Sequence, residues 1–157
     1  MQAQAVTHHT IILERLYPAK PERVFSAFSD PAKKRRWFAE GEDFSNVDFA
    51  MDFREHGFER TKFRAGRDTP LKGSVLSNDT VYLDIVPNRR IVLAYTMAVE
   101  DKRFSSSQVT FEFLPSETGT RLLFTEQAAF FEGADGPAMR EQGWRQLFEA
   151  LASELTR

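Results

Sequence analysis

The stretch Gly119–Leu155 reads GTRLLFTEQAAFFEGADGPAMREQGWRQLFEALASEL, and a change of period inside it decides the fold. Leu122 and Phe124 alternate with Arg121 and Leu123, the two-residue repeat of a strand spanning about residues 120–130. Gly133 to Pro137 interrupt the pattern. Beyond them Trp144, Leu147, Phe148, Leu151 and Leu155 fall on one apolar stripe at helical spacing. Arg140, Glu141, Arg145, Glu149 and Glu154 form much of the remaining surface of that helix. A helix of about 20 residues is roughly 30 Å long, enough to cross a small sheet.

Working back from this stretch, the chain supplies the sheet. Residues 9–17 are rich in β-formers and read as a first strand that Pro18 stops. Pro21 sits where a helix accepts proline, and Asp30-Pro31 is a second start signal, so two short helices are expected over about 21–29 and 31–38. After Gly41 the period becomes two. Val47, Phe49, Met51 and Phe53 alternate with polar or small residues, and His56-Gly57 turns the chain. Further strands follow over 59–64, ended by Gly66 and Pro70, and over 81–86, 91–97 and 109–113. The turns at Pro87–Arg90, Glu100–Lys102 and Pro115–Gly119 are short, which makes the sheet antiparallel with one face buried. The expected fold is α+β: a curved antiparallel sheet of six to seven strands wrapped round a long C-terminal helix, with two short helices after strand one. Residues 1–157 form one domain on the length prior.

The composition is globular, with 41% hydrophobic and 28% charged residues. Twenty-one Lys and Arg face 23 Asp and Glu, giving a net charge of −2 that argues against bulk nucleic-acid binding. Cysteine is absent, so disulfides, thiol nucleophiles and thiolate metal sites are excluded. The lack of disulfides fits a reducing, cytoplasmic setting. The N-terminus lacks the pattern of a secretory signal, and no apolar run is long enough to span a membrane. Phenylalanine is abundant: 15 Phe beside 3 Tyr and 2 Trp point to a large aromatic core or an aromatic-lined cavity.

Four stretches resemble the START-like, or SRPBCC, superfamily with its helix-grip fold, and within it the family related to the activator of the heat-shock chaperone ATPase. They are Pro21–Phe25 through Asp30-Pro31 to Trp37, the hairpin Tyr82–Val92, the strand Gly119–Gln127, and the terminal helix with Gly143-Trp144 and Leu147. The resemblance covers nearly the whole chain. It implies a hydrophobic ligand cavity between sheet and helix, and it leaves the ligand open, because one fold hosts many functions.

The residues expected to line such a cavity are Phe49, Met51, Phe53, Phe63, Tyr95, Met97, Phe111, Phe113, Phe124, Trp144 and Phe148, which serve equally as core. Tyr95 carries a hydroxyl able to orient a polar ligand group. Glu126 shares the face of Leu122 and Phe124. A carboxylate there is either a structural partner of an arginine or backbone amide, or a ligand anchor, or a general acid or base. Asp84 and Tyr82 are expected together on the outer face. Lys33-Lys34-Arg35-Arg36 reads as the solvated face of a short helix, with Trp37 and Phe38 turned inward. His8, His9 and His56 read as solvent-facing, since their spacing fits no metal site. Ser74 lacks a nucleophile elbow, and Ser105–Ser107 have no evident base.

The leading functional expectation is a non-catalytic binder of a small apolar or amphipathic molecule, without cofactor, metal or nucleic acid, and with a homodimer possible. The alternatives are a cyclase- or hydrolase-like enzyme using a pocket carboxylate, and a chaperone ATPase regulator or protein-interaction module.

Overall fold

The computed structural model describes residues 5–40, 44–66 and 73–157, with 44–47 described by their backbone only. The strand end at Pro70, the break at Gly41 and the inward side chain of Val47 lie outside the described residues. Seven strands follow the expected plan: β1 Thr7–Tyr17, β2 Phe44–Met51, β3 Phe58–Ala65, β4 Val75–Val86, β5 Arg90–Val99, β6 Lys102–Ser116 and β7 Gly119–Phe130. Helix α1 spans Pro21–Ser29, α2 Pro31–Lys34 and α3 Pro137–Glu154. The sheet order is β1-β7-β6-β5-β4-β3-β2, and every neighbouring pair is antiparallel.

Short turns join β4 to β5, β5 to β6 and β6 to β7. Asn88 (φ 64°) lies in the three-residue loop 87–89 between β4 and β5, and Glu100 and Asp101 (φ 48° and 66°) form the two-residue turn between β5 and β6, the left-handed backbone that short hairpin loops use. Gly57 follows His56 (φ 67°) at the turn into β3. A Cβ at Gly57 would stand 2.2 Å from the Asp52 carbonyl oxygen, so only glycine fits there. The helices α1 and α2 follow β1, and β1 and β2 lie at opposite edges of the sheet.

The first short helix is as expected, with Pro21 in its first turn. Asp30 caps the second, its Oδ1 accepting the Ala32 N–H at 2.9 Å. The second helix differs from the expected single α-helix over 31–38. It is α-helical only to Lys34 and continues as a π-helix over Arg35–Ala39, where the Glu40 N–H reaches the Arg35 carbonyl at 3.1 Å. The wider turn rotates Trp37 into the core while Lys34 also points inward. Lys34 is therefore buried (4% exposed) and is not on a solvated face.

Two more expectations are corrected. Tyr82 lies on the inner face and is buried, apart from Asp84. The register between β4 and β5 slips between Tyr82 and Asp84, a bulge that breaks the two-residue alternation. Asp84 does stay outside and pairs with Arg90 at 2.7 Å. On α3, Arg140 and Glu154 are buried beside the apolar stripe and not on the polar face. Strands β1 and β4 also begin earlier than expected, at Thr7 and Val75.

The core is aromatic on the β6–β7 side. Phe28 meets Trp37, Phe111 and Phe113 edge-on at 5.0–5.1 Å between ring centres. Phe124 meets Phe111, Trp144 and Phe148 at 4.6–5.5 Å. Each such pair adds about 0.5–1.5 kcal/mol to the burial of its rings. His8 and His9 stand exposed on β1, and His56 is exposed at its turn.

Candidate functional site

The inner face of the sheet is mainly apolar on β1, β6 and β7, and mixed polar and apolar on β3 and β4. Along β3 the inward positions are Glu59, Thr61, Phe63 and Ala65; along β4 they are Leu76, Asn78, Thr80 and Tyr82. Over this polar half, α3 and the π-helix do not close down on the sheet. They leave a cavity of about 440 Å³, within the range of small-molecule sites. Its walls are Trp37 and Phe38 from the π-helix, Leu93, Tyr95 and Met97 from β5, Phe111 from β6, and Gly143, Trp144, Leu147 and Ala150 from α3. Its floor is Thr61, Asn78 and Thr80.

Gly143 helps keep the space open. Glycine within a helix costs about 1 kcal/mol relative to alanine. Here it lines the cavity, and a Cβ on it would meet no atom within 4 Å.

A buried charged group stands at each end of the cavity. At one end Lys34 Nζ donates to Glu59 Oε1 at 2.8 Å, and the Tyr82 hydroxyl donates to the same oxygen at 2.5 Å. The ammonium also lies 4.3 Å from the centre of the Phe38 ring, a cation–π contact that partly replaces lost hydration. Burial, then the charge of Glu59 and its hydrogen bond, drive the Tyr82 phenol far above its ordinary pKa.

At the other end Arg140 uses all five of its N–H donors. Nε and Nη2 hold the two oxygens of Asp135 at 2.8 and 2.9 Å. Nη2 also reaches Ser105 Oγ at 2.8 Å, and Nη1 reaches the Tyr95 hydroxyl at 2.8 Å and Glu126 Oε2 at 2.9 Å. Burial opposes the charge on Arg140, but Tyr95, Asp135 and Glu126 outweigh it and raise its pKa further. Such complete pairing is what allows a buried guanidinium to remain charged.

Glu126 is fully enclosed. Its Oε2 accepts from Tyr95 at 2.7 Å, Ser107 at 2.6 Å and Arg140, and its Oε1 accepts the Trp144 indole N–H at 2.7 Å. The carboxylate ties β5, β6, β7 and α3 together from behind the cavity wall. Tyr95 donates to Glu126 while accepting from Arg140; burial first, and then the Glu126 charge, push its pKa well up.

Of the residues singled out in the sequence, Phe63, Tyr95, Met97, Phe111 and Trp144 come together on the cavity wall. Phe113, Phe124 and Phe148 are enclosed in the packed core, and Phe53 packs on Tyr82 at 4.9 Å. Phe49 and Met51 are half-buried on β2. The sequence reading missed Lys34, Glu59, Thr61, Asn78 and Arg140. Strand alternation signals Glu59 and Thr61, since they share a face with Phe63; the other three depend on contacts far apart in the chain.

The family of Activator of Hsp90 ATPase homolog 1-like proteins has a model that matches residues 18–156. Among solved structures, a protein of Rhizobium loti is 45% identical, with 96% of this chain and 99% of that one covered and a TM-score of 0.85. A Rhizobium leguminosarum protein is 36% identical over 99% of both chains, with a TM-score of 0.89. An AHSA1-like protein of Aeromonas hydrophila shares the fold at 19% identity, covering 94% of this chain and 92% of that one, with a TM-score of 0.69. No curated protein matches. No helix among the described residues is long and apolar enough to cross a membrane. With its helix-grip sheet and a family match running through α3, this chain belongs to the Activator of Hsp90 ATPase homolog 1-like family of the SRPBCC superfamily.

Proposed function

We propose that the protein binds a small amphipathic molecule in the cavity between α3 and the sheet. The observation that carries this reading is the cavity itself: about 440 Å³, walled by aromatic rings and floored by polar side chains. A ligand hiding about 200 Å² of apolar surface gains roughly 5 kcal/mol before the costs of association. Glu126 favours binding over catalysis. Its oxygens already receive four donors, so it serves to hold Tyr95, Arg140 and Trp144 in place. A cytoplasmic setting goes with this reading, as the chain has no cysteine.

The test starts with native mass spectrometry of the purified protein and denaturing extraction of any bound molecule. It continues with titration of the neutral dye Nile red into wild type and Gly143→Leu. Saturable binding by wild type is expected, with at least a tenfold loss in Gly143→Leu, whose side chain would occupy the cavity. The variant should keep or raise its thermal midpoint, because leucine is the better helix former. Absence of both a co-purifying molecule and a saturable dye site sinks the proposal.

A further inference from the structure

Resting on that reading, we infer that the ligand is an uncharged molecule with a flat apolar body and a hydroxyl or N–H group, and that Thr61 and Asn78 recognise that group. Thr61 and Asn78 are directly opposite each other on β3 and β4. Both line the cavity floor. Thr61 is 2% exposed, and neither its Oγ1 nor the Asn78 Oδ1 has a hydrogen-bond partner. Leaving a buried polar atom without a partner is costly, so two such atoms side by side are a feature to explain. Asn78 Oδ1 only accepts, and a hydroxyl or N–H on the ligand would satisfy it.

Charge selects further. The cations lining the cavity, Lys34 and Arg140, are already matched by Glu59, Glu126 and Asp135. Glu40, on the cavity lining, is paired with Arg35 at 3.0 Å. Two cations against three carboxylates, two of them buried, leave no positive charge to receive an anion. A carboxylate or phosphate entering this space would lose its hydration without gaining a counter-charge. The aromatic walls of Trp37, Phe38, Phe111 and Trp144 suit a flat ring system.

Three probes with one ring system separate these features: 2-naphthol, 2-methoxynaphthalene and 2-naphthoate, each titrated into the protein by calorimetry at neutral pH. The naphthol should bind roughly tenfold tighter than the methoxy compound, which lacks the donor, and the anion should bind most weakly. Thr61→Val combined with Asn78→Leu should remove the naphthol advantage over the methoxy compound. Thr61→Ser, which keeps the hydroxyl, should retain it. The wild-type ranking decides the matter even if the double variant fails to fold. Equal binding of naphthol and the methoxy compound, tightest binding of naphthoate, or a naphthol preference that survives in the double variant overturns this inference and leaves the cavity reading standing. No saturation by any probe or by Nile red overturns both.

Discussion

The inner face of the sheet has two halves built by the same alternation and finished differently. On β6 and β7, Phe111, Phe113, Leu122 and Phe124 are capped by Phe28, Trp144 and Phe148, and little surface is left over. On β3 and β4 the same inward positions hold Glu59, Thr61, Asn78 and Thr80, and the helices stand off. Helix α3 can bury its stripe fully only on the aromatic half. Over the polar half, rings would leave hydroxyl, amide and carboxylate groups without partners, so the gap persists. One half supplies the stability that allows the other to stay open.

The largest expected effect breaks the packed half. Phe124→Ala removes a fully buried ring in contact with three others and should cost about 3–5 kcal/mol in denaturant unfolding. A loss below about 1 kcal/mol would mean that this half is not the stabilising one.

A comparable loss is expected at the open half for a different reason. Lys34→Met leaves Glu59 buried without its cation and should cost about 3–5 kcal/mol. Adding Glu59→Leu together with Tyr82→Phe, which removes the hydroxyl that donates to Glu59, should recover most of it, because apolar residues of similar volume replace a buried ion pair at little cost. Arg36→Met breaks a bidentate pair with Glu154 in which the arginine is one-third exposed, and should cost much less than Lys34→Met because solvent screens the pair. If Lys34→Met proves as mild as Arg36→Met, the Lys34 end behaves as surface and the contrast between the halves weakens.

The last effect is nil at neutral pH and becomes a slope only at alkaline pH. All three tyrosines, Tyr17, Tyr82 and Tyr95, have their pKa raised, in each case chiefly by burial. The unfolded chain releases these protons near pH 10, while the folded chain retains them. Stability is therefore present in full below about pH 10 and falls as pH rises beyond it, by about 1.4 kcal/mol per pH unit for each tyrosine. Tyr82→Phe with Tyr95→Phe should remove twice as much of that slope as Tyr17→Phe. Phenolate absorbance should appear together with unfolding; its appearance in a chain still folded by circular dichroism would contradict the assignment.

The elements were largely legible because they rest on local rules. Two-residue alternation marked the strands, Pro21 and Asp30-Pro31 marked the helix starts, and the Trp144–Leu155 stripe marked the gripping helix. The π-turn at Arg35–Ala39 was not legible, since its residues also satisfy an α-helical pattern. The bulge beside Tyr82 was hidden for a similar reason: one extra residue reverses the face of everything beyond it. Local charge misled twice. Lys34 lies in a run of four basic residues and Arg140 among the charges of α3, yet each is buried by a carboxylate that comes from a distant strand, Glu59 or Glu126.

Sequence alone determined the order of strands and helices, the single curved sheet and the helix that grips it, because hydrophobic period and turn chemistry act between near neighbours. Only the tertiary structure decided which polar side chains face inward, how Glu126 is enclosed and where a cavity remains. Those outcomes depend on partners from 18 to 31 residues away, such as Trp144 and Tyr95 on Glu126, and on whether two packed layers can meet without stranding a polar group.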